Sequence, residues 1–547
     1  MKNIFVLIPL ALLLVKPNIL AQEAKEKGLD AITAEAIKGQ LSFLSSDWTE
    51  GRHTGRPGAY LAADYLASLF SIYGIQPGGD MERTSISRAE WSAGKRPVEY
   101  RGYYQNFELI EYKPGDTQKL SLVQKTAWGS NALNFDYLTD FSVSTSDVAQ
   151  EIDAPVVFVG YGFRDEESGY DDFKGVDVEG KIILRLSGYP GYNDEESAAS
   201  KKIGKKNYRE IRTAKSEAAT EHGVAAIIEV VPGRDITGNW ADNLPFRYNQ
   251  SDYEGDVPRK SYYEYRMNIP GDLSASPARI SISKRVKDKL LEGTGIDLEA
   301  FEKEVSESAK PASKELTGKQ LKLITTVDSR VIQVRNVVGV IPGKDTSEII
   351  VVGGHYDHLG MHDGYIWNGA DDNASGTVGV MTIAKAMMAA GEKPEKTIVF
   401  AAWTGEEKGL LGSEYFADHP YDDAEVILNL NYDMISRDDA DDTLGIRVGY
   451  TYTEKYSILE EVAEANNATY DLGLEVEFEP SERPRGGSDY SSFSSKDIPV
   501  IAMMAGFPPE YHRPGDHIEL VNWEKMQKII ELGYLTIFDL ANMDWKE

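Results

Sequence analysis

The chain has 547 residues, more than one ordinary hydrophobic core organises, so two or three domains are expected. It has no cysteine, which excludes disulfides, thiolate metal sites and cysteine nucleophiles. Asp and Glu outnumber Lys and Arg 88 to 58, and the resulting charge of −30 favours solubility and repels nucleic acid and other polyanions. The densest basic patch, Lys201-Lys202 with Lys205-Lys206, reads as a solvated face.

Lys2 followed by the apolar run Ile4 to Val15 reads as an export leader. The run matches a signal h-region and is too short to span a bilayer. With cleavage near Ala21, residues 1–21 are expected to be removed, leaving a secreted or periplasmic protein with no stable membrane insertion. From Ile32 to Ile75 the period is helical, with Leu61, Tyr65, Leu66, Leu69 and Phe70 on one face. Alternating stretches between Tyr100 and Val123, such as Asn106 to Ile110, predict strands. Pro155 to Val159, Lys181 to Leu184 and Val224 to Val230 predict buried strands, with a helix over Tyr208–Glu221 before the last. This block holds one histidine, His222, and no ligand cluster, so it is taken as an inserted module over 131–315.

Beyond Leu321 strands and helices alternate. Strands are predicted at Val337 to Ile341, Ile349 to Val352, Thr397 to Ala402, Val426 to Leu430 and Ile498 to Met503. Helices are predicted at Thr377 to Ala390, around Ile458 to Val462, and around Met526 to Phe538. The alternation predicts an α/β three-layer sandwich around a mostly parallel sheet, formed by residues 26–130 and 316–547, with a β-rich insertion between them.

In such a sheet ligands bind at the carboxyl ends of strands, where the chemistry-bearing residues of this chain lie. His355 and Asp357 follow one strand through two glycines, and in extended backbone they point the same way. Asp371-Asp372 precedes a helix, where adjacent acids taken alone read first as N-terminal caps and otherwise as ligands. Glu406-Glu407 follows another strand, and such a pair can divide metal binding from proton transfer. Asp433 and His512 close the series. Of the remaining histidines, His53, His222 and His419 have no ligand neighbours in sequence, and His358, His362 and His517 lie near the site as supporting, cleft or surface groups.

These residues resemble the co-catalytic zinc exopeptidases that include secreted bacterial leucine aminopeptidases and glutamate carboxypeptidase. The resemblance lies in Gly353 to Gly360, Gly369 to Gly376, Glu406-Glu407, Asn431-Tyr432-Asp433 and Tyr511-His512, with Gly51-Arg52 and Thr54-Gly55 similar to the family's N-terminal segment. The insertion is similar to a protease-associated domain at Val157 to Gly162, Asp177 to Ile183 and Gly223 to Ile228.

The resemblance implies two divalent metal ions, zinc foremost, bridged by Asp371, with His355 and Asp433 on one and Glu407 and His512 on the other. It implies Glu406 as general base, Asp357 as the group that orients His355, and Tyr511 as a hydrogen-bond donor to the oxyanion. It implies an aminopeptidase acting on peptides through a bridging hydroxide. Ser488-Asp489-Tyr490 departs from the Ser-Asp-His of many relatives. A carboxypeptidase of the same family stays open through Arg483, Arg485 and Arg513. A single-zinc glutaminyl cyclase would not need the full ligand set, and a non-catalytic receptor would have lost part of it.

Overall fold

The computed structural model describes residues 21–126, 129–144, 148–231, 265–271, 277–362 and 364–546. Residues 1–20 of the expected leader lie outside them. Among the described residues no helix is long and apolar enough to cross a membrane. The chain divides into two compact units, with boundaries at Leu109/Ile110 and Val331/Ile332.

The first unit comprises the described residues up to Leu109 and from Ile332 onward. Its helices include α1 (Ala34–Leu44), α2 (Pro57–Tyr73), α3 (Gly376–Ala390) and α4 (Trp523–Asn542). Its strands are the last part of β1 (Lys314–Ile341), β2 (Asp345–His355), β3 (Lys396–Trp403), β4 (Glu425–Tyr432), β5 (Arg447–Thr453), β6 (Glu475–Ser481) and β7 (Val500–Met504). They lie in the order β6-β5-β7-β4-β2-β3-β1. The central strands β3, β2, β4 and β7 are mutually parallel, while β1 and β5 pair antiparallel with β3 and β7.

Burial on both faces explains why the central strands read as continuous apolar runs. All eight residues of β3 are buried. Along β2, Ile350 and Val352 join the core shared with α1–α4, whereas Ile349 and Val351 join a second core with Trp403, Phe416 and Phe493. The pleat therefore sends alternate side chains into two helical layers. Each such side chain contributes roughly 1.5–3 kcal/mol. Helix α2 starts with Pro57 in its first turn and ends at Gly74 in the left-handed conformation, as its flanking residues predict.

The second unit comprises the described residues of Ile110–Val331. Strands Gln150–Phe158, Ile182–Leu186, Ala226–Val230 and Ala278–Ile282 form a parallel set, flanked by helices such as Tyr208–Glu221. The strands of this β-rich unit are thus accompanied by helices. The expected boundaries are 130/131 and 315/316, the latter in the polar Lys/Glu-rich stretch from Leu291 to Lys319. Both lie near the long strands Tyr104–Thr126 and Lys314–Ile341, through which the chain passes from unit to unit.

Candidate metal centre

The parallel register aligns the carboxyl ends of four strands. His355 pairs with Trp403, Gly353 with Asn431, and Tyr432 with Met503. The segments that follow carry Glu406-Glu407, Asp433 and His512, all in the first unit. Gly405 lets the chain turn at the end of β3: its φ of +77 suits glycine, and the short turn Glu406–Lys408 begins there.

Two groups of possible ligands meet here, His355 with Asp372 and Asp433, and His358 with Asp372 and Glu407. His355 Nε2 stands 3.5 Å from Asp372 Oδ1 and 3.5 Å from Asp433 Oδ1. On the other side His512 Nε2 stands 3.0 Å from Asp372 Oδ2 and 3.5 Å from Glu407 Oε2. Asp372 is therefore shared by both groups.

The structure places Asp372, rather than the expected Asp371, between the two imidazoles. Asp371 Oδ1 accepts hydrogen bonds from Ser436 N and Ser436 Oγ, each 2.8 Å, and its backbone carbonyl accepts one from Ser375 Oγ. The adjacent residue takes the inward position because the turn is not helical, with Asp372 at φ −99, ψ 101. Gly369, at φ +52, makes that turn possible, since a Cβ there would lie 2.1 Å from Asp372 O and 2.4 Å from the His358 ring.

The surrounding groups fix the ligands. His355 Nδ1 lies 3.1 Å from the Asp357 carbonyl, which makes Nδ1 the protonated nitrogen and leaves Nε2 facing the carboxylates. The Asp357 carboxylate accepts from Thr54 Oγ1 at 2.7 Å and from Glu406 N at 3.2 Å. It orients the Glu406 turn more directly than it does the His355 ring, 3.9 Å away. His358, which sequence reasoning set aside, is fully buried with Nδ1 2.7 Å from Glu407 Oε1, so that Oε2 is the oxygen turned to His512. His358 Nδ1 is itself 3.9 Å from Asp372 Oδ2, but its contact with Glu407 makes it a support for that carboxylate. Arg52, also fully buried, donates to the carbonyls of Tyr356, Asn368 and Gly369 and braces two of the site's segments.

The electrostatics follow from packing carboxylates together out of water. Burial, with Glu407, Asp489 and Asp433 adding to it, pushes Glu406 well above the usual carboxylate range. Burial acts against Asp372 too, but the imidazoles of His358, His512 and His355 hold it below that range. Burial lowers His512, yet Glu407 and Asp372 outweigh it and raise the imidazole to about 9. Burial likewise opposes the rise of His355, which Glu406 and Asp433 drive well above its ordinary value. Tyr511 stacks on His512 with ring centroids 3.8 Å apart, and burial followed by Asp372 and Glu407 pushes its phenol up. Met434 and His512 both adopt left-handed backbone at φ 56, unusual conformations concentrated beside ligand positions.

With this arrangement established, residues 336–536 match the description Peptidase family M28.

Over these residues the chain is similar to the M28 peptidases.

Leucine aminopeptidase 2 of Arthroderma otae is 29% identical over 216 residues, which cover 34% of this chain and 41% of that protein. Leupeptin-inactivating enzyme 1 of Streptomyces exfoliatus is 29% identical over 173 residues, covering 31% and 36%. The chain thus spans less than half the length of these curated relatives. The solved aminopeptidase from Aneurinibacillus sp. strain AM-1 shares the fold, with a TM-score of 0.54 at 18% identity over 95% of this chain and 97% of that one. Within the matched residues, Arg483 is engaged by Asp497 and Arg437 by Glu510, so neither guanidinium is without an acidic partner.

Proposed function

We propose that this protein is an exported aminopeptidase that removes N-terminal residues from peptides with the help of two divalent cations, zinc foremost. The observation that carries the reading is the single Asp372 carboxylate standing between His355 and Asp433 on one side and His512 and Glu407 on the other. The donors fit such ions. Each side offers one imidazole and carboxylate oxygens, and Asp433 Oδ1 is buried with no hydrogen-bond partner. Two imidazoles and three carboxylates suit zinc, and nitrogen and oxygen ligands also accept cobalt or manganese.

Bound there, the cations supply Lewis-acid polarisation of a carbonyl and lower the pKa of water toward ~7. The chain's own groups do the rest. Glu406, its carboxylate 3.8 Å from His355 Nε2, accepts the proton of the attacking water and returns it to the leaving amine. Asp357 holds the Glu406 turn through its backbone N–H. Tyr511 keeps its proton because burial and the surrounding acids disfavour the phenolate, so it can donate a hydrogen bond to the oxyanion. The second unit is read as a protease-associated insertion on its sequence blocks.

The printed names of the relatives make leucyl substrates the first to try. The test compares leucyl-nitroanilide with N-blocked dipeptides, with and without chelator. Chelator-sensitive cleavage of the unblocked substrate supports the reading, and cleavage of the blocked set alone defeats it.

A further inference from the structure

Asp516 lies four residues after His512, is 1% exposed, and has no part in the reaction described above. Its carboxylate accepts the backbone N–H of Asp371, at 3.1 Å to Oδ1 and 3.0 Å to Oδ2, and that of Asp372 at 3.0 Å to Oδ2. Its own backbone carbonyl accepts from Ala370 N at 3.2 Å. One residue thus grips three successive peptide groups of the turn that presents the shared carboxylate. Arg437, four residues after Asp433 and 8% exposed, reaches the same loop: Nη2 is 2.5 Å from Glu510 Oε2 and Nη1 is 3.9 Å from Asp516 Oδ1. The segments carrying Asp372, Asp433 and His512 are therefore tied to one another through Asp516.

We infer that Asp516 is the positioning residue that sets the orientation of Asp372, by accepting the N–H groups of Asp371 and Asp372, and that metal affinity depends on it. The inference rests on the reading of Asp372 as the shared ligand. Buried N–H groups left without an acceptor draw the backbone toward other partners. In this non-helical turn such a movement rotates the Asp372 side chain away from both imidazoles. Loss of a group that orients a ligand typically weakens metal binding by about 10–100-fold.

The test measures zinc affinity of the metal-free full-length chain by chelator competition, alongside its thermal midpoint. Asp516→Ala is expected to bind zinc about 10–100-fold more weakly. Asp516→Asn is expected to recover to within about threefold of the parent, because one amide oxygen at the Oδ2 position can accept both N–H groups. If Asp516→Ala gives no cooperative thermal transition, Asp516→Ser supplies the truncated side chain. A purely structural role predicts lower midpoints with unchanged zinc affinity. Parent-like affinity in the truncated variant, or an Asn variant as weak as the truncation, overturns the inference. Affinity is read without substrate, so a failure of the aminopeptidase reading leaves the comparison intact. Asp372→Asn binding zinc like the parent would instead break the shared-ligand premise.

Discussion

Neutralising each member of the Asp371-Asp372 pair in turn separates the two readings of this site. In Asp372→Asn the charge facing His355 Nε2 at 3.5 Å and His512 Nε2 at 3.0 Å is lost. At an effective dielectric near 20, losing a unit negative charge about 3.5–4 Å from a bound cation costs roughly 4–5 kcal/mol per unit of cation charge. The surviving amide oxygen and local relaxation reduce the net loss, so about 3–4 kcal/mol is expected, or roughly two to three decades of zinc affinity. In Asp371→Asn the amide oxygen still accepts from Ser436 N and Oγ. Burial and then Asp516 push the Asp371 acid above its ordinary range. Its zinc affinity should remain within about threefold, since neutral hydrogen-bond changes of this kind amount to roughly 0.5–1.5 kcal/mol or less. Chelator competition on both metal-free variants reads the difference. Equal losses, or a greater loss for Asp371→Asn, would refute the assignment of Asp372 as the shared group.

Further outcomes follow from the same geometry. Glu406→Gln keeps the backbone N–H to Asp357 and should retain zinc while kcat falls about 10²–10⁴-fold; near-normal turnover in steady-state assays removes Glu406 as the base. Gly369→Ala forces a Cβ against Asp372 O and the His358 ring, and should destabilise the first unit by roughly 1–3 kcal/mol or more and weaken zinc binding, which calorimetry can check. In the second unit, burial raises the Asp172 carboxyl to about 7 despite hydrogen bonds from Tyr170, Phe163 and Tyr161. The folded state then holds a proton that the unfolded state releases near pH ~4, so this contribution is full below ~4 and is lost as pH rises to about 7. The upper bound is about 4 kcal/mol, and Asp172→Asn should flatten the fall in stability over that window; an unchanged slope in chemical denaturation rejects the attribution.

Much of this was legible in the sequence because periodicity and glycine placement act locally. The helix over Tyr208–Glu221 and the buried strands from Val337 onward agree with the observed elements. The site's location was legible too, since ligand-type residues at successive strand ends converge once the strands are parallel. Which of two adjacent acids turns inward was not legible. That depends on backbone angles at Asp372 and on the acceptors Ser436 and Asp516 supply to its neighbour and its N–H groups, from segments far along the chain. The role of His358 was hidden for the same reason, as its partner Glu407 is 49 residues away. The unit boundaries were blurred because long strands, rather than loops, lie across them.

The central claim is a site for two cations built on the Asp372 carboxylate. Elemental analysis of the purified protein after zinc loading and dialysis tests it most directly, with Asp372→Asn alongside. Two zinc ions per chain in the parent and fewer in the variant are predicted. One zinc or none in the parent, or two retained by the variant at parent affinity, would contradict it.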